Sequence, residues 1–136
     1  MIQLQTVPVE YLYQVWPIVE PWLNKSLEVT TDDINVDQLK VCLINRYQTL
    51  LIAVDDNKII GAGTVQIDNF PNNRVLSITA LGGRNIVKSE VFEQLEKWAK
   101  SQGVTKIKAS AKEAQARLYK KVAGLNPVMH DMEKSI

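Results

Sequence analysis

The sequence predicts an α/β protein of the α+β type, with a mixed, mostly antiparallel sheet of about six strands and helices on both faces. Three observations support this. Apolar residues recur at helical spacing in four segments, they alternate at a period of two in others, and turn residues separate the two kinds of segment. The predicted order is βααβββαβαβ. One domain over residues 1–136 is expected, because a chain of 136 residues suits a single core.

The N-terminal segment MIQLQT predicts a short strand, because its apolar residues alternate with polar ones and Pro8 then ends it. Over residues 9–28 the apolar residues fall at helical spacing instead. Pro17 and Pro21 interrupt this pattern, and each lacks a backbone donor. We therefore expect a short first segment and a second one that begins near Pro17, where the missing N–H costs least.

A second helix is predicted to begin near Asn35, with Gln38 three residues later as its capping partner. This helix would bury Leu39, Cys42 and Leu43. Cys42 is the sole cysteine, which excludes an internal disulfide and the multi-cysteine metal patterns. On an apolar helix face its thiol is expected to behave as a small hydrophobic group.

The stretch TLLIAVDDNKIIGAGTVQIDNF changes to a period of two and predicts two strands joined by a hairpin. Residues 55–58 form the turn, because Asp and Asn tolerate the left-handed conformations that such turns need. A second turn at 70–74 leads into a third strand, VLSITAL. The three strands are predicted to form an antiparallel meander.

The C-terminal part alternates between helix and strand. A helix over residues 89–102 presents one apolar face and is followed by Gly103 as its cap. The strand KIKAS comes next, and a helix connection makes it parallel to VLSITAL. The segment AKEAQARLYKKVA is predicted to be a helix closed by Gly124, and residues 127–136 are predicted to supply a final strand.

Composition narrows the classes of function. The chain has 16 Lys and Arg against 15 Asp and Glu, so it lacks the basic footprint of a nucleic-acid-binding protein. Its N-terminus has no basic segment followed by an apolar run, and no apolar stretch reaches membrane-spanning length. We expect a protein that is neither secreted nor transmembrane, with no nucleic acid, membrane or metal among its partners.

The turn after VLSITAL is the first candidate site. The segment ALGGRNIVKSEVFEQLEKW runs from a strand through two glycines into a helix, and the free N–H groups of a helix N-terminus can hold a phosphate. The candidate cofactor-binding residues are Leu81, Gly82, Gly83, Arg84, Asn85 and Lys88. The alternative is a glycine turn without a ligand, since Glu90 in the first helical turn opposes an anion.

The element order, with the segments LIAVDDNKIIGAGTV, EQLEKWAKSQGV and ARLYKKVAGLNPV, resembles the GNAT (Gcn5-related N-acetyltransferase) fold over nearly the whole chain. The resemblance implies acyl transfer from acetyl-CoA to an amine, with a turn of small residues whose amides hold the pyrophosphate. It also implies catalytic roles for Tyr119 as general acid and Asp68 as base. For Tyr119 an aromatic packed at the helix end is the alternative, because Gly124 follows it by five residues and the family spacing is four.

The turn departs from the family pattern. When EKWAK is set against the corresponding stretch of the family's third helix, the two small positions of the pyrophosphate turn fall on Ile86 and Lys88. An Ile or Lys side chain is expected to stand where the backbone would approach a phosphate closely. The resemblance therefore implies a degenerate acyl-CoA site.

Three segments resemble small GNAT-like proteins that bacteriophages encode among their virion genes: VWPIVEPWLNKSLE, DNFPNNRVLSITALGG and LEKWAKSQGVTKI. This resemblance implies a structural or accessory virion-associated protein that binds other phage virion proteins, located in the virion or the host cytoplasm. The alternative is an active acetyl-CoA-dependent N-acetyltransferase that acts on an amine. Fold alone does not decide between the two.

Overall fold

A computed structural model describes residues 1–84 and 86–136 of the chain. Its elements follow the predicted order except at the C-terminus. The strands are β1 (Ile2–Thr6), β2 (Thr49–Asp55), β3 (Lys58–Asn69), β4 (Arg74–Gly83) and β5 (Lys106–Ala109). The helices are α1 (Leu12–Thr30), α2 (Val36–Ile44), α3 (Ser89–Ser101) and α4 (Glu113–Ala123), and a 3₁₀ turn at Val9–Tyr11 leads into α1.

Within the described ranges the strands form one sheet in the order β1-β2-β3-β4-β5. The first four strands pair antiparallel with one another, and β5 is parallel to β4. The predicted meander and mixed sheet are confirmed. The turn between β2 and β3 holds Asp56 at φ 51° and Asn57 at φ 62°, which is the left-handed conformation that a two-residue hairpin requires.

The prediction of a sixth strand is wrong. Residues 125–136 have no regular secondary structure, and their apolar side chains Val128, Met129 and Met132 are 77%, 73% and 92% exposed. A strand is stable where a neighbouring strand takes up its backbone groups and a core covers its apolar face. In the single chain this segment has neither, so the sheet ends at β5.

A continuous α1 replaces the two helical segments predicted around Pro17. Pro17 and Pro21 are both exposed, so the carbonyl groups that lose their helical donors can bond to water. The opposite side of α1 is a buried apolar stripe of Leu12, Trp16, Val19, Leu23 and Leu27. Burial contributes about 1.5–3 kcal/mol for each of the five side chains, so together they outweigh the cost of about 3 kcal/mol for each of the two prolines.

The helix α2 begins as predicted. The Asn35 side chain accepts a hydrogen bond from the Gln38 N–H, and the Gln38 side chain accepts one from the Asn35 N–H, both at 2.9 Å. Leu39 and Leu43 are buried, while Cys42 is half-buried. This local signal needs no tertiary contact, which is why the sequence pattern locates it.

The sheet lies between two pairs of helices, which confirms the prediction of helices on both faces. Successive residues of β2 face opposite sides: Leu50 and Ile52 pack with α1 and α2, whereas Leu51 packs with α3 and α4. At one edge of the sheet, a side chain of α3 hydrogen-bonds to the backbone of β1. Gln94 accepts from the Leu4 N–H at 2.9 Å and donates to the Ile2 carbonyl at 2.8 Å, so its side chain takes the place of a neighbouring strand beside β1.

Candidate functional site

The parallel pair β4 and β5 separates part-way along β4. Pairing runs from Val75 opposite Lys106 to Ile78 opposite Ala109, and β4 then continues to Gly83. The last five residues of β4 therefore have a strand on the β3 side and none on the β5 side. We call this stretch, residues 79–83, the open end of β4.

A β-bulge marks the beginning of the open end. Thr64 of β3 lies opposite Ala80 and Val65 lies opposite Ile78, which leaves Thr79 as the extra residue on β4. Bulges recur beside functional sites because they re-aim side chains. Here the bulge turns the Thr79 hydroxyl toward polar groups of β3 and of the segment before β2.

Three polar side chains meet at this bulge. Thr79 Oγ1 lies 2.6 Å from Thr64 Oγ1 and 2.5 Å from Gln48 Oε1. Because Thr79 has one hydroxyl proton and Oε1 can only accept, Thr79 donates to Gln48 and Thr64 donates to Thr79. Thr64 is fully buried, so these hydrogen bonds satisfy a hydroxyl group that would otherwise be costly to bury.

The substitution Thr79→Val is expected to lower the free energy of unfolding by about 1–3 kcal/mol. The valine removes the acceptor of the Thr64 hydroxyl and the donor to Gln48. Urea unfolding measures the change, with Thr79→Ser as the matched control because it keeps the hydroxyl. A Thr79→Val protein as stable as Thr79→Ser would contradict the hydrogen-bond chain.

The outer edge of the open end is occupied by α1. The Arg84 N–H donates to the Ile60 carbonyl across β3, so in this antiparallel ladder the Leu81 N–H points to the other edge. That N–H donates to Ser26 Oγ of α1 at 3.1 Å. A β-carbon added to Gly82 would lie 2.7 Å from the Trp22 carbonyl oxygen, so α1 rests directly on this strand.

The glycine pair has a packing role. Gly83 has φ +123°, and an added β-carbon would overlap the Gly61 Cα and the Ile60 carbonyl oxygen. Only glycine therefore fits this crossing of β3 and β4. Close packing with α1 at Gly82 and with β3 at Gly83 accounts for both glycines without a ligand.

Ile86 faces the core and does not cover the turn. It is 3% exposed and packs with Ile2, Ala53 and Val91, so the expectation that its side chain would stand in the approach to a phosphate is wrong. An apolar cavity of about 30 Å³ lies beside it, between the sheet and α3, and Leu81 also lines it.

The cationic residues of the predicted turn are exposed. Arg84 and Lys88 both face solvent, and Lys88 precedes the first turn of α3, where Glu90 lies. Asn85 was predicted among the cofactor-binding residues and lies outside the described residues. The helices α3 and α4 both begin after the carboxyl ends of parallel strands, so Lys88 and Lys112 precede two helices at the same end of the sheet.

Tyr119 is buried in the core that α3 and α4 share with the sheet. It is 8% exposed, and its ring packs edge-on against Phe92 with 5.8 Å between the centroids. Burial raises the pKa of its hydroxyl above the ordinary value of 10.0. The hydroxyl is therefore protonated at neutral pH, which is the form that a general acid needs, but the ring contact also accounts for the residue by packing.

Asp68 lies away from the bulge. It pairs with Val75 near the β3–β4 turn, three residues beyond Val65, or about 10 Å along the strand. Its carboxylate accepts from Gln66 Nε2 at 3.3 Å. The structure thus places Asp68 near the paired end of β4 and not at its open end. The catalytic roles of Asp68 and Tyr119 and the cofactor roles of the turn remain predictions.

No helix in residues 1–84 and 86–136 is long and apolar enough to cross a membrane. The same ranges contain no group of three or more His, Cys, Asp or Glu side chains placed to hold a metal ion.

The fold matches many solved acetyltransferases. A predicted acetyltransferase from Clostridium acetobutylicum, solved with acetyl-CoA, is 18% identical with a TM-score of 0.67, over 99% of this chain and 96% of that chain. A glucosamine-6-phosphate N-acetyltransferase from Arabidopsis thaliana is 14% identical with a TM-score of 0.66, over 99% and 98%. An aminoglycoside acetyltransferase from an uncultured soil metagenomic sample, in complex with trehalose, is 12% identical with a TM-score of 0.71, over 99% and 96%. No protein-family description and no curated protein matches the chain.

At these identities the likeness shows the fold alone. The chain has the fold of the GNAT acetyltransferases, a mixed α+β arrangement with a mostly antiparallel sheet between two pairs of helices. The predicted fold is confirmed with five strands in place of about six. Because one matched structure holds acetyl-CoA, binding of that cofactor is plausible for the fold.

Proposed function

We propose that this chain is a bacteriophage-encoded GNAT-fold protein whose acyl-CoA site is degenerate, and that it serves as a structural or accessory component associated with the virion. It acts through its surface by binding other proteins of the phage. Three segments in α1, in β4 with the turn before it, and in α3 carry the resemblance to phage proteins of this type.

The contact between α1 and the open end of β4 carries this proposal. In a GNAT scaffold the acyl-CoA site lies where the fourth strand leads into its turn, and here the outward N–H of Leu81 is already bonded to Ser26 Oγ. The Trp22 backbone fills the space over Gly82. A ligand that needs this strand edge would have to displace α1, which is anchored by a buried stripe of five side chains.

Addition of acetyl-CoA is expected to leave the melting temperature of the protein unchanged. A ligand present at one hundred times its dissociation constant stabilises the folded state by about 2.7 kcal/mol. For a domain of this size that corresponds to a rise on the order of 10 °C. Thermal unfolding with millimolar acetyl-CoA, and with free CoA for comparison, measures the shift, and a rise of several degrees would reject the degenerate site.

The virion assignment has a separate test. Mass spectrometry of purified phage particles is expected to detect this protein at a fixed ratio to the other virion proteins. A protein that is absent from the particles, yet abundant in infected cells, would reject the structural role without affecting the test of acetyl-CoA binding.

An active acetyl-CoA-dependent N-acetyltransferase is the alternative, and the charge distribution favours it. Residues 84–124 carry ten Lys and Arg against four Asp and Glu, although the whole chain is nearly balanced. Two of these cations, Lys88 and Lys112, precede helices at one end of the sheet, where a polyanionic cofactor would be attracted. The proposed acid would be Tyr119, with Asp68 as a candidate base.

One variant, Tyr119→Phe, distinguishes the two proposed functions. If the alternative holds, Tyr119→Phe lowers the rate of amine-dependent CoA release at unchanged acetyl-CoA affinity, since only proton donation to the leaving thiolate is lost. Under the first proposal the wild-type protein already releases no CoA above background with any amine.

A further inference from the structure

The C-terminal segment of residues 128–134 carries exposed apolar side chains, and no element of the described fold covers it. Its side chains Val128, Met129 and Met132 are 77%, 73% and 92% exposed. Exposed apolar side chains that cluster in one short stretch indicate an interaction site more often than isolated ones do. We call residues 128–134 the tail.

The strand β5 offers an edge for such a segment. In the described residues it pairs only with β4 and is the last strand of the sheet. Its side chains alternate: Lys106 and Lys108 are exposed, whereas Ile107 and Ala109 are half-buried against the core of α3 and α4. Unlike β1, whose outer edge is hydrogen-bonded to Gln94, β5 has no neighbouring strand among the described residues on its outer side.

The tail has the complementary pattern. Asp131 and Glu133 alternate with Met132, so in an extended conformation the two acids share one face and the methionine lies on the other. One antiparallel register places Asp131 opposite Lys108, Met132 opposite Ile107 and Glu133 opposite Lys106. Directly opposed side chains of opposite charge stabilise a strand pair, and Met132 extends the apolar surface around Ile107.

We propose that the β5 edge of one molecule binds the tail of a second copy in this antiparallel register, and that the two copies exchange tails reciprocally in a two-fold dimer. The occupant is a second copy because of where the tail begins. Leu125 and Ala123 line the same surface groove as Lys106 and Ile107, so each chain's own tail starts at the Lys106 end of β5.

A tail laid directly onto its own β5 from that end would run parallel to the strand. Antiparallel pairing is the more stable arrangement per residue, and the tail of a two-fold-related molecule can enter from the Ala109 end. Reciprocal exchange closes the assembly at two copies, because each molecule supplies one tail and one edge. The inference is independent of whether the fold binds acetyl-CoA.

Charge reversal tests both the register and the exchange. The wild-type protein is expected to have twice the 15.4 kDa mass of one chain by light scattering at high micromolar concentration. The variants Lys106→Glu/Lys108→Glu and Asp131→Lys/Glu133→Lys are each expected to be monomeric, because like charges then oppose one another. The matched control Lys25→Glu/Lys97→Glu, which reverses two exposed helical lysines, should remain dimeric.

Mixing the two reversed variants distinguishes exchange from pairing within one chain. In an equimolar mixture, the acidic edge of one variant faces the basic tail of the other, and the basic edge faces the acidic tail. A one-to-one heterodimer is therefore expected. Pairing within one chain predicts no rescue, because each molecule keeps its own mismatched tail. A monomeric wild type, a monomeric mixture, or a dimer that survives either reversal would overturn the proposal, and circular dichroism checks that every variant is folded.

Discussion

The substitution Gly83→Ala is expected to lower the free energy of unfolding by about 4 kcal/mol. Two costs combine at this position. The backbone has φ +123°, which an alanine rarely adopts, and the new methyl group would overlap the Gly61 Cα and the Ile60 carbonyl oxygen. Both overlaps are with backbone atoms of β3, which cannot rotate away as a flexible side chain would. Since a domain of this kind is stable by about 5–15 kcal/mol, urea unfolding should show the loss clearly.

Gly124→Ala is the matched control for Gly83→Ala. Gly124 closes α4 with φ +70°, yet an added β-carbon there would meet no atom within 4 Å. Only the conformational cost remains, so a loss of about 1 kcal/mol is expected. If the two substitutions cost the same, the close approach of β3 and β4 at Gly83 would not be the reason for the glycine.

This comparison also bears on the origin of the LGGRN turn. A phosphate-binding turn uses glycine so that a ligand can approach the backbone, whereas the glycines here let one part of the protein approach another. Gly82 admits the Trp22 backbone and Gly83 admits Gly61. The sequence pattern is the same in both cases, because in both it encodes the absence of a side chain.

Local signals made most of the fold predictable. The capping pair at Asn35 and Gln38, the left-handed turn at Asp56 and Asn57, and the cap at Gly124 each depend on residues close in sequence. The parallel placement of β5 beside β4 followed from the helix between them, which is a rule of connection. These features need no knowledge of what packs against them.

The wrong predictions depend on tertiary contacts. The pattern around Pro17 shows where backbone N–H donors are missing. It does not show that water reaches the exposed side of α1, or that five buried side chains stabilise the opposite side. The last segment was predicted to be a strand, but in the single chain no neighbouring strand takes up its backbone groups and its apolar side chains stay exposed. In both cases the outcome depends on surroundings that the local sequence does not contain.

The polar groups at the open end of β4 were not predicted for the same reason. Ser26, Thr64 and Thr79 are ordinary residues for a helix and for strands, and nothing in their spacing marks them. The bulge brings Thr79 to Thr64, and the crossing of α1 brings Ser26 to the Leu81 N–H. The sequence signal near this contact was the turn that begins at Leu81, with its two glycines.

The substitution Leu23→Ala is expected to lower the free energy of unfolding by about 3 kcal/mol. Leu23 is fully buried in the core between α1 and the sheet, next in sequence to Trp22, whose backbone rests on Gly82. Removing its branched end leaves a cavity that the rigid sheet cannot fill. Two controls separate this effect from helix propensity: Leu23→Met conserves volume and should cost under about 1.5 kcal/mol, and Ile18→Ala alters an exposed position of the same helix.

The same variant tests whether the packing of α1 keeps the outer edge of residues 79–83 covered. If the packing of Leu23 keeps Ser26 against the strand, the amide proton of Leu81 should exchange with solvent faster in Leu23→Ala than in Ile18→Ala, at matched global stability. Local opening of α1 would expose that N–H before the sheet unfolds. An unchanged exchange rate of the Leu81 amide proton would show that the Ser26 contact does not depend on this packing. Another interaction would then have to hold α1 against β4.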